Sequence, residues 1–491
     1  LDILFLILLL PLVCSLILFI SPLNLRVLSA LHILCSAVVS LALLYAISRV
    51  LSVGTIYAFN DMLFLDSLGA VFLVLISLTG FCVNLYSTSY FKWHLNSSNL
   101  SLKQTKINFV LSHITTFAMT LSCISNNMAI MWAALEATTL ATVFMVALKD
   151  NKRSLESGYK YIVICSVGLA FAMFATILLY SSSLNTLHDE KSAILFSNLI
   201  LQATNLNPDV LKLIFIFALI GFGTKAGLVP THTWLPDAHA QGPAPTSAML
   251  SGIVIKCAML GLLRYYAIAS NATIGDFSEQ VMLISGTLTL FVSAFFLIRQ
   301  HDIKRMFAYH SVAHMGVIAF ALGVGGKIGI FAAVFHCTAH SFTKALAFLT
   351  TGNTARIYGT NDMDKMGNMV RLAPLTTVLF GVSICSLVGV PGFAIFVSEF
   401  LTFKAAVLSG QFTAVVLFAV ALTIIFIADF SHFFMASFGE VKGEIKFKKE
   451  MSLWENIPLI LLAFLVISFG VWQFESFWTL VQNSVMIIKG N

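Results

Sequence analysis

The sequence predicts an all-α polytopic membrane protein with about fourteen transmembrane helices. Three observations carry this. The 491 residues are 58% hydrophobic and only 10% charged, against about 25% charged in soluble domains. Apolar runs of membrane-spanning length recur from one end to the other. No polar stretch is long enough to build a separate soluble domain, so residues 1–491 read as one transmembrane unit.

The spans follow in order. The first three, at 3–20, 26–48 and 66–88, form an N-terminal group over 1–104. The run at 3–20 has no basic n-region and no A-x-A site, so it reads as a retained helix; Leu1 leaves a processed or unusual start open. Five spans at 107–123, 128–147, 159–181, 211–228 and 244–269 fill 105–270. Five more at 279–297, 307–323, 328–351, 376–407 and 411–438 fill 278–440. The last lies at 455–480, within 441–491. The twelfth is too long for one simple crossing and contains Pro391-Gly392, so it should be broken.

Basic residues assign the sides. With both termini outside, the loops after odd-numbered spans hold 18 of the 28 Lys and Arg, Lys448 and Lys449 among them. The outer loops and tail hold 6: Arg49, Lys191, Lys212, Arg264, Lys327 and Lys489. This asymmetry is the positive-inside pattern of a cytoplasmic membrane. The net charge of +6 therefore reflects topology, and no nucleic-acid partner is expected. The eight cysteines lie in or beside apolar runs without CxxC spacing and read as small buried residues.

The remaining four basic residues, Lys225, Lys256, Lys344 and Lys404, fall inside spans, as do Glu136, Glu399 and Asp429. Histidines 113, 310, 314, 336, 340 and 432 join them. An ionised group at mid-bilayer costs at least about 2.5–3.5 kcal/mol. Any one of these could be a helix–helix hydrogen bond; the whole set points to function. Burial disfavours the charged form of lysine and carboxylate alike, and imidazole titrates near neutrality. A line of Glu, Lys and His therefore suits a proton relay. It suits a sodium cage poorly, because lysine repels cations and hard cations need clustered oxygens.

Spacing agrees. "HCTAHSFTK" puts His336, His340 and Lys344 on one helix face, and "YHSVAH" does the same for His310 and His314. HxxxH supplies two metal ligands without an adjacent Cys or acidic third, so no metal is expected. Iron–sulfur, haem and nucleotide motifs are absent, so no cofactor is expected on this chain.

Lys225 sits in "GFGTKAGLVPTHTWLPDAHAQ". Gly223, Gly227 and Pro230 should break span seven just after it, leaving its charge beside a hydrated break and shared with freed carbonyls. A short half-helix should follow, with His232 as a relay candidate, His239 as a weaker one and Trp234 as an anchor. "GVPGFAIFVSEF" repeats the device with Glu399. Paired broken spans point to two inverted five-helix repeats, matching Lys225 to Glu399 and Glu136 to the His310/His314 helix.

Several stretches resemble the antiporter-like subunits of respiratory complex I, Mrp cation/proton antiporters and membrane-bound hydrogenases. They are "WAALEATTLA", "GYKYIVICSVGLAF", "KAGLVPTHTWLPDAHAQGPAPTSAMLSG", "IVIKCAMLGLLRYY", "HDIKRMFAYHSVAHMG", "HCTAHSFTKALAFLTTGN" and "GVPGFAIFVSEFLTFKAA", which cover most of 128–408. The branch that looks most similar is hydrogenase-4 component F, although Ala313 stands where that pattern often has glutamate. The resemblance implies a Glu136–Lys225 pair, a central Lys256, and an axis through His310, His314, His336, His340 and Lys344 to Glu399. Lys404 has no assured counterpart and is kept as a relay candidate.

The resulting expectation is a proton-translocating subunit of a prokaryotic redox complex of the NADH dehydrogenase or hydrogenase type. Other membrane subunits and a peripheral redox arm would be its partners, and the chain itself would perform no redox step. Two alternatives stand beside it: a subunit of a multi-subunit Na⁺/H⁺ antiporter, and a membrane partner that energises a soluble subunit, as in inorganic-carbon uptake.

Overall fold

The computed structural model describes residues 2–97, 99–187, 189–446 and 450–490. Leu1, Lys448 and Lys449, which entered the sequence reading, lie outside the described residues. The chain is a helical bundle with one two-stranded hairpin, β1 (Ile56–Ala58) and β2 (Leu63–Leu65). Twelve helical stretches among the described residues are long and apolar enough to cross a membrane.

The N-terminal group is α1 (Ile3–Ile20), α2 (Leu25–Val53), and α3 (Ser67–Val74) joined to α4 (Gly80–Asn96) through a π-helical turn at Leu75–Thr79. Next come α5 (Leu102–Ile124), α6 (Met128–Val146), α7 (Lys152–Leu187), the short α8 (Phe196–Leu201), and α9 (Pro208–Ala226) followed by α10 (Trp234–Gln241). A second π-turn, Leu250–Val254, joins α11 (Ala244–Met249) to α12 (Ile255–Asn271). Then follow α13 (Gly275–Ile298), α14 (Ile303–Val324), α15 (Gly326–Tyr358), the one-turn α16 (Met369–Leu372), α17 (Pro374–Leu387), α18 (Ala394–Leu408), α19 (Phe412–Phe438), α20 (Leu453–Val471) and α21 (Glu475–Lys489).

Two expected spans fall outside the twelve. They are α15, studded with His336, His340 and Lys344, and the broken pair α17–α18. The stretch expected as one helix at 455–480 is in fact α20 and α21 with an extended corner at 472–474.

Local chemistry sets the boundaries. Ser101 and Gln104 form a capping box on α5, and Ser452 and Glu455 form another on α20. Asn127 caps α6 and Asp302 caps α14. The bundle is buried most completely along α12, α14 and α15, while α1, α7, α13 and α19 turn apolar faces outward.

The loops sort onto two ends of the bundle. At one end Lys106 Nζ donates to Ser21 O (2.7 Å), Gln104 Nε2 to Leu148 O (2.7 Å) and Met363 N to His301 O (2.7 Å). At the other, Phe5 packs on Phe59 (5.9 Å), Asn126 Nδ2 donates to Asp61 O (2.8 Å), and Asn271 Nδ2 donates to Ile488 O (2.9 Å). The start of α1 and the end of α21 thus lie on the same side of the bundle.

Candidate functional site

α9 ends where the sequence said it would. Gly227 adopts φ +86°, a left-handed conformation that suits glycine, and caps the helix. The Leu228 N–H donates to Gly223 O (2.8 Å), while Thr224 O accepts from the Gly227 N–H (3.2 Å) and from Trp234 Nε1 (2.9 Å). Two of the carbonyls freed by the break, Gly223 O and Thr224 O, are therefore taken, and the lysine's own contacts lie elsewhere than expected. Trp234 is a packing anchor, buried and stacked on Tyr161 at 4.6 Å.

Lys225 instead reaches across to α6. Its fully buried Nζ donates to Leu135 O (2.6 Å) and to Thr139 Oγ1. The expected partner, Glu136, does not pair with it. Glu136 Oε1 accepts from Ser166 Oγ on α7 (2.6 Å), and Oε2 has no partner among the described residues. Leu135 and Thr139 share one face of α6; Glu136, next along, projects about 100° away toward α7. Thr139 was not anticipated, although a hydroxyl three residues after a buried glutamate was its signal.

Lys256, on α12, donates to Ser251 O within the π-turn. Such turns recur at functional sites because they disturb the regular carbonyl ladder. Ser251 Oγ meets Ser311 Oγ on α14 at 2.7 Å. The imidazoles come next. His340 packs 4.7 Å from the His314 ring, and neither of its nitrogens has a hydrogen-bond partner among the described residues. His314 Nδ1 lies 3.0 Å from His336 Nε2, and His336 Nδ1 lies 2.8 Å from Ser398 Oγ. Ser398 precedes Glu399 in α18.

Glu399 is buried against the break between α17 and α18. Gly389 and Gly392 both have positive φ there, so the break opens before Pro391. A Cβ at Gly389 would collide with Glu399 Oε2, so a larger residue there would displace this carboxylate. On the other flank His310 Nε2 pairs with Asp429 Oδ2, both fully buried, and its ring lies 5.8 Å from His314. This gives Asp429, whose role the sequence left open, a defined partner. Lys344 Nζ donates to Phe307 O (2.7 Å) beside the Phe307 and Phe348 rings.

His232 and His239 are buried, near Tyr309 (6.4 Å) and Phe348 (5.1 Å) respectively. His432 is peripheral, 3.3 Å from Leu297 O.

Lys404 is a correction. It lies exposed on α18, apart from this line. Five residues of helix turn it about 140° away from Glu399. Two residues counted as loop cations are also inside. Arg264 is buried in a bidentate pair with Asp66, and Lys304 is buried with its Nζ on Ala240 O (3.3 Å) and Gly242 O. The structure thus links the four imidazoles of α14 and α15 to one another and to Ser398, buries Lys225, Lys256, Lys344 and Glu399 separately, and leaves Lys404 exposed.

Comparison with known proteins fits this arrangement. Residues 125–427 match the family described as NADH:quinone oxidoreductase/Mrp antiporter, TM. Every relay residue nominated from the sequence lies within that range. A hydrogenase-4 component F homolog of Methylacidiphilum infernorum (isolate V4) is 35% identical over 381 residues, covering 77% of this chain and 79% of its own. A Na(+)/H(+) antiporter subunit of Alkalihalophilus pseudofirmus is 29% identical over 337 residues, covering 67% of this chain and 66% of its own. A chain of the membrane-bound sulfane sulfur reductase, an archaeal respiratory membrane complex, shares the fold with a TM-score of 0.85 at 22% identity, over 99% of this chain and 97% of that one. This chain belongs to the NADH:quinone oxidoreductase/Mrp antiporter membrane-subunit family.

Proposed function

We propose that this chain is the proton-translocating, antiporter-like membrane subunit of a complex I-like or hydrogenase-4-like redox assembly. The observation that supports the reading is the buried set of titratable groups, with His340, His314, His336 and Ser398 in contact and Lys225, Lys256 and Glu399 buried in neighbouring helices. Each of its members can hold or pass a proton. The similarity to a hydrogenase-4 component supports partner membrane subunits and a peripheral redox arm that handles the electrons. The chain would span a prokaryotic cytoplasmic membrane fourteen times with both termini outside. Two inverted repeats, α5–α12 and α13–α19, would each carry one broken span with a buried charge.

Lys225 is the proposed gate of the first half. Its anchor is a carbonyl and a hydroxyl, which accept from a neutral amine as well as from an ammonium. Glu136, one residue from that carbonyl, would bias the proton through its field. Lys225→Ala and Lys225→Arg test this in the assembled complex, with transport normalised to complex content. A transferring lysine loses coupled transport in both variants, because arginine does not release a proton near neutral pH. Near wild-type pumping by Lys225→Arg would refute the role.

A second reading, a Na⁺/H⁺ antiporter subunit, is supported by the antiporter relative. Pumping that persists in sodium-free buffer and collapses with a protonophore favours protons. Absolute sodium dependence favours the second reading.

A further inference from the structure

A cleft at one end of the bundle gathers positive charge and no negative charge. It lies at the end that holds the Gln104–Leu148 and His301–Met363 contacts. Its volume is about 540 Å³, and its walls come from α4, the turn after α6, the starts of α11 and α14, the end of α15 and the loop before α20. Lys149, Lys304 and Lys446 line it together with His94, and no Asp or Glu among the described residues does.

The three lysines are seated in the structure. Lys304 is 4% exposed and Lys149 is half-buried. Lys446 is exposed, yet its backbone N–H donates to Ile357 O (2.9 Å) and its side chain lies over Gly359, the residue that ends α15. A Cβ added at Gly359 would meet Lys446 Cδ at 2.5 Å. The loop before α20 is thus tied down where it delivers its lysine.

Their charges are unanswered within the chain. At the same end Arg305 pairs with Asp237 (2.9 Å), Arg356 with Glu455 (3.4 Å) and Lys365 with Asp362 (3.2 Å). None of the three cleft lysines has an ion pair among the described residues. Asp302, two residues before Lys304, has its Oδ1 on the N–H groups of Lys304 and Arg305 as the cap of α14. Lys304 Nζ holds Ala240 O and Gly242 O, which leaves one of its three N–H groups open. Lys149 and Lys446 make no side-chain hydrogen bond among the described residues, and His94 Nδ1 is buried without a partner among them.

Like charges that converge on one cleft repel, so packing alone gives no reason to gather them. An anion from outside the chain completes the arrangement. The donors arrive from different elements and therefore from different directions. A phosphate group, with oxygens on several sides, can accept from them together, whereas a carboxylate presents only two oxygens. Basic pockets between membrane helices on the cytoplasmic side hold such headgroups, and the functional reading above turns this end to the cytoplasm.

We propose that this cleft binds a phosphate-bearing anion through Lys149, Lys304 and Lys446. An anionic phospholipid headgroup and a soluble phosphate compound share that chemistry. The site itself does not require proton transport; only its side of the membrane follows from that reading. Its test uses the assembled complex from wild type and from a Lys149→Gln, Lys446→Gln double variant. Each is washed free of loose lipid in detergent and supplied with phosphatidylglycerol or with inorganic pyrophosphate, and bound molecules are counted by native mass spectrometry. A control pair, Lys152→Gln with Lys442→Gln, removes the same charge from exposed lysines outside the cleft. Lys446→Gln alone serves if the double variant does not assemble. Wild type and control should bind one molecule more than the cleft variant, whose affinity should fall about thirtyfold for two lost lysines. A difference with phosphatidylglycerol alone identifies a lipid headgroup; a difference with pyrophosphate shows that a soluble phosphate compound can fill the site. Equal binding by wild type and the cleft variant with both probes, or an equal loss in the control pair, overturns the site. If Lys225→Arg pumps normally, the transport reading falls, and the cleft is still decided by these counts alone.

Discussion

The Asp66–Arg264 pair gives the sharpest test of how this bundle is held together. Arg264 Nη1 donates to Asp66 Oδ2 at 2.5 Å and Nη2 to Oδ1 at 2.8 Å, with the two side chains 1% and 4% exposed. The guanidinium also lies 4.8 Å and 4.5 Å from the Phe64 and Phe196 rings. Asp66 Oδ1 accepts the Gly69 N–H (2.8 Å) and so caps α3, fixing that helix start to α12. Asp66→Asn keeps a good capping side chain but leaves the cation buried without a counter-charge, a loss of about 3–5 kcal/mol. Arg264→Met strands the carboxylate at a similar cost of about 3–5 kcal/mol and also removes the ring contacts. The double variant carries no buried charge, so it should lose much less than the two single losses combined. Unfolding by SDS in mixed micelles, followed through tryptophan fluorescence, supplies the four free energies of the cycle. The expected coupling is at least about 2 kcal/mol, within the range seen for contacting residues. Coupling below about 0.5 kcal/mol, the additivity limit for independent sites, would refute the pairing.

Three further predictions concern topology, Lys404 and Gly389. Single cysteines at positions 155 and 445 should be shielded from an impermeant thiol reagent in intact cells, and one at position 200 should react; outside labelling at 445 would overturn the side assignment. Lys404→Ala should leave coupled transport unchanged, because Lys404 is exposed and off the buried line; a loss like that of Lys225→Ala would restore it to the relay. Gly389→Ala should lower transport several-fold by displacing the Glu399 carboxylate, with which a Cβ would collide, and by forcing alanine to φ +70° at a cost of about 1 kcal/mol or more. Wild-type transport in that variant would mean that Glu399's position is not critical.

The buried charges were legible in the sequence because charge within an apolar run is costly enough to mark itself. Lys225, Lys256, Lys344, Glu399 and the histidines of α14 and α15 could be found that way, and the glycine and proline pattern located both breaks. What escaped depended on partners. Arg264 lies about two turns inside the end of α12 and Lys304 at the start of α14, and both were counted as loop cations; only Asp66, some 200 residues away in sequence, and the carbonyls of residues 240 and 242 explain their burial. Lys404 failed in the opposite sense. Membership of a span says nothing of helical phase, and its phase turns it outward. His32 gave the same signal as His113, an imidazole in an apolar run, yet only the fold shows that the two rings meet, 81 residues apart in sequence.

One rule unites the buried lysines and bears on how the axis could work. Lys225 donates to Leu135 O, Lys256 to Ser251 O, Lys304 to Gly242 O and Lys344 to Phe307 O. None of the four forms an ion pair with a carboxylate among the described residues. A carboxylate partner would bind the ammonium far more strongly than the amine, and loss of the proton would strand a buried anion. A carbonyl has no charge to strand and accepts an N–H from either form. The protein thus holds each lysine in place by a contact that outlives the proton, and keeps its carboxylates elsewhere: Glu136 on Ser166, Asp429 on His310, Glu399 over Gly389. Position and charge are thereby set by different groups. A small displacement of α6 or α18 would change the field at a lysine without releasing its side chain, which is what a relay driven from a distant partner requires.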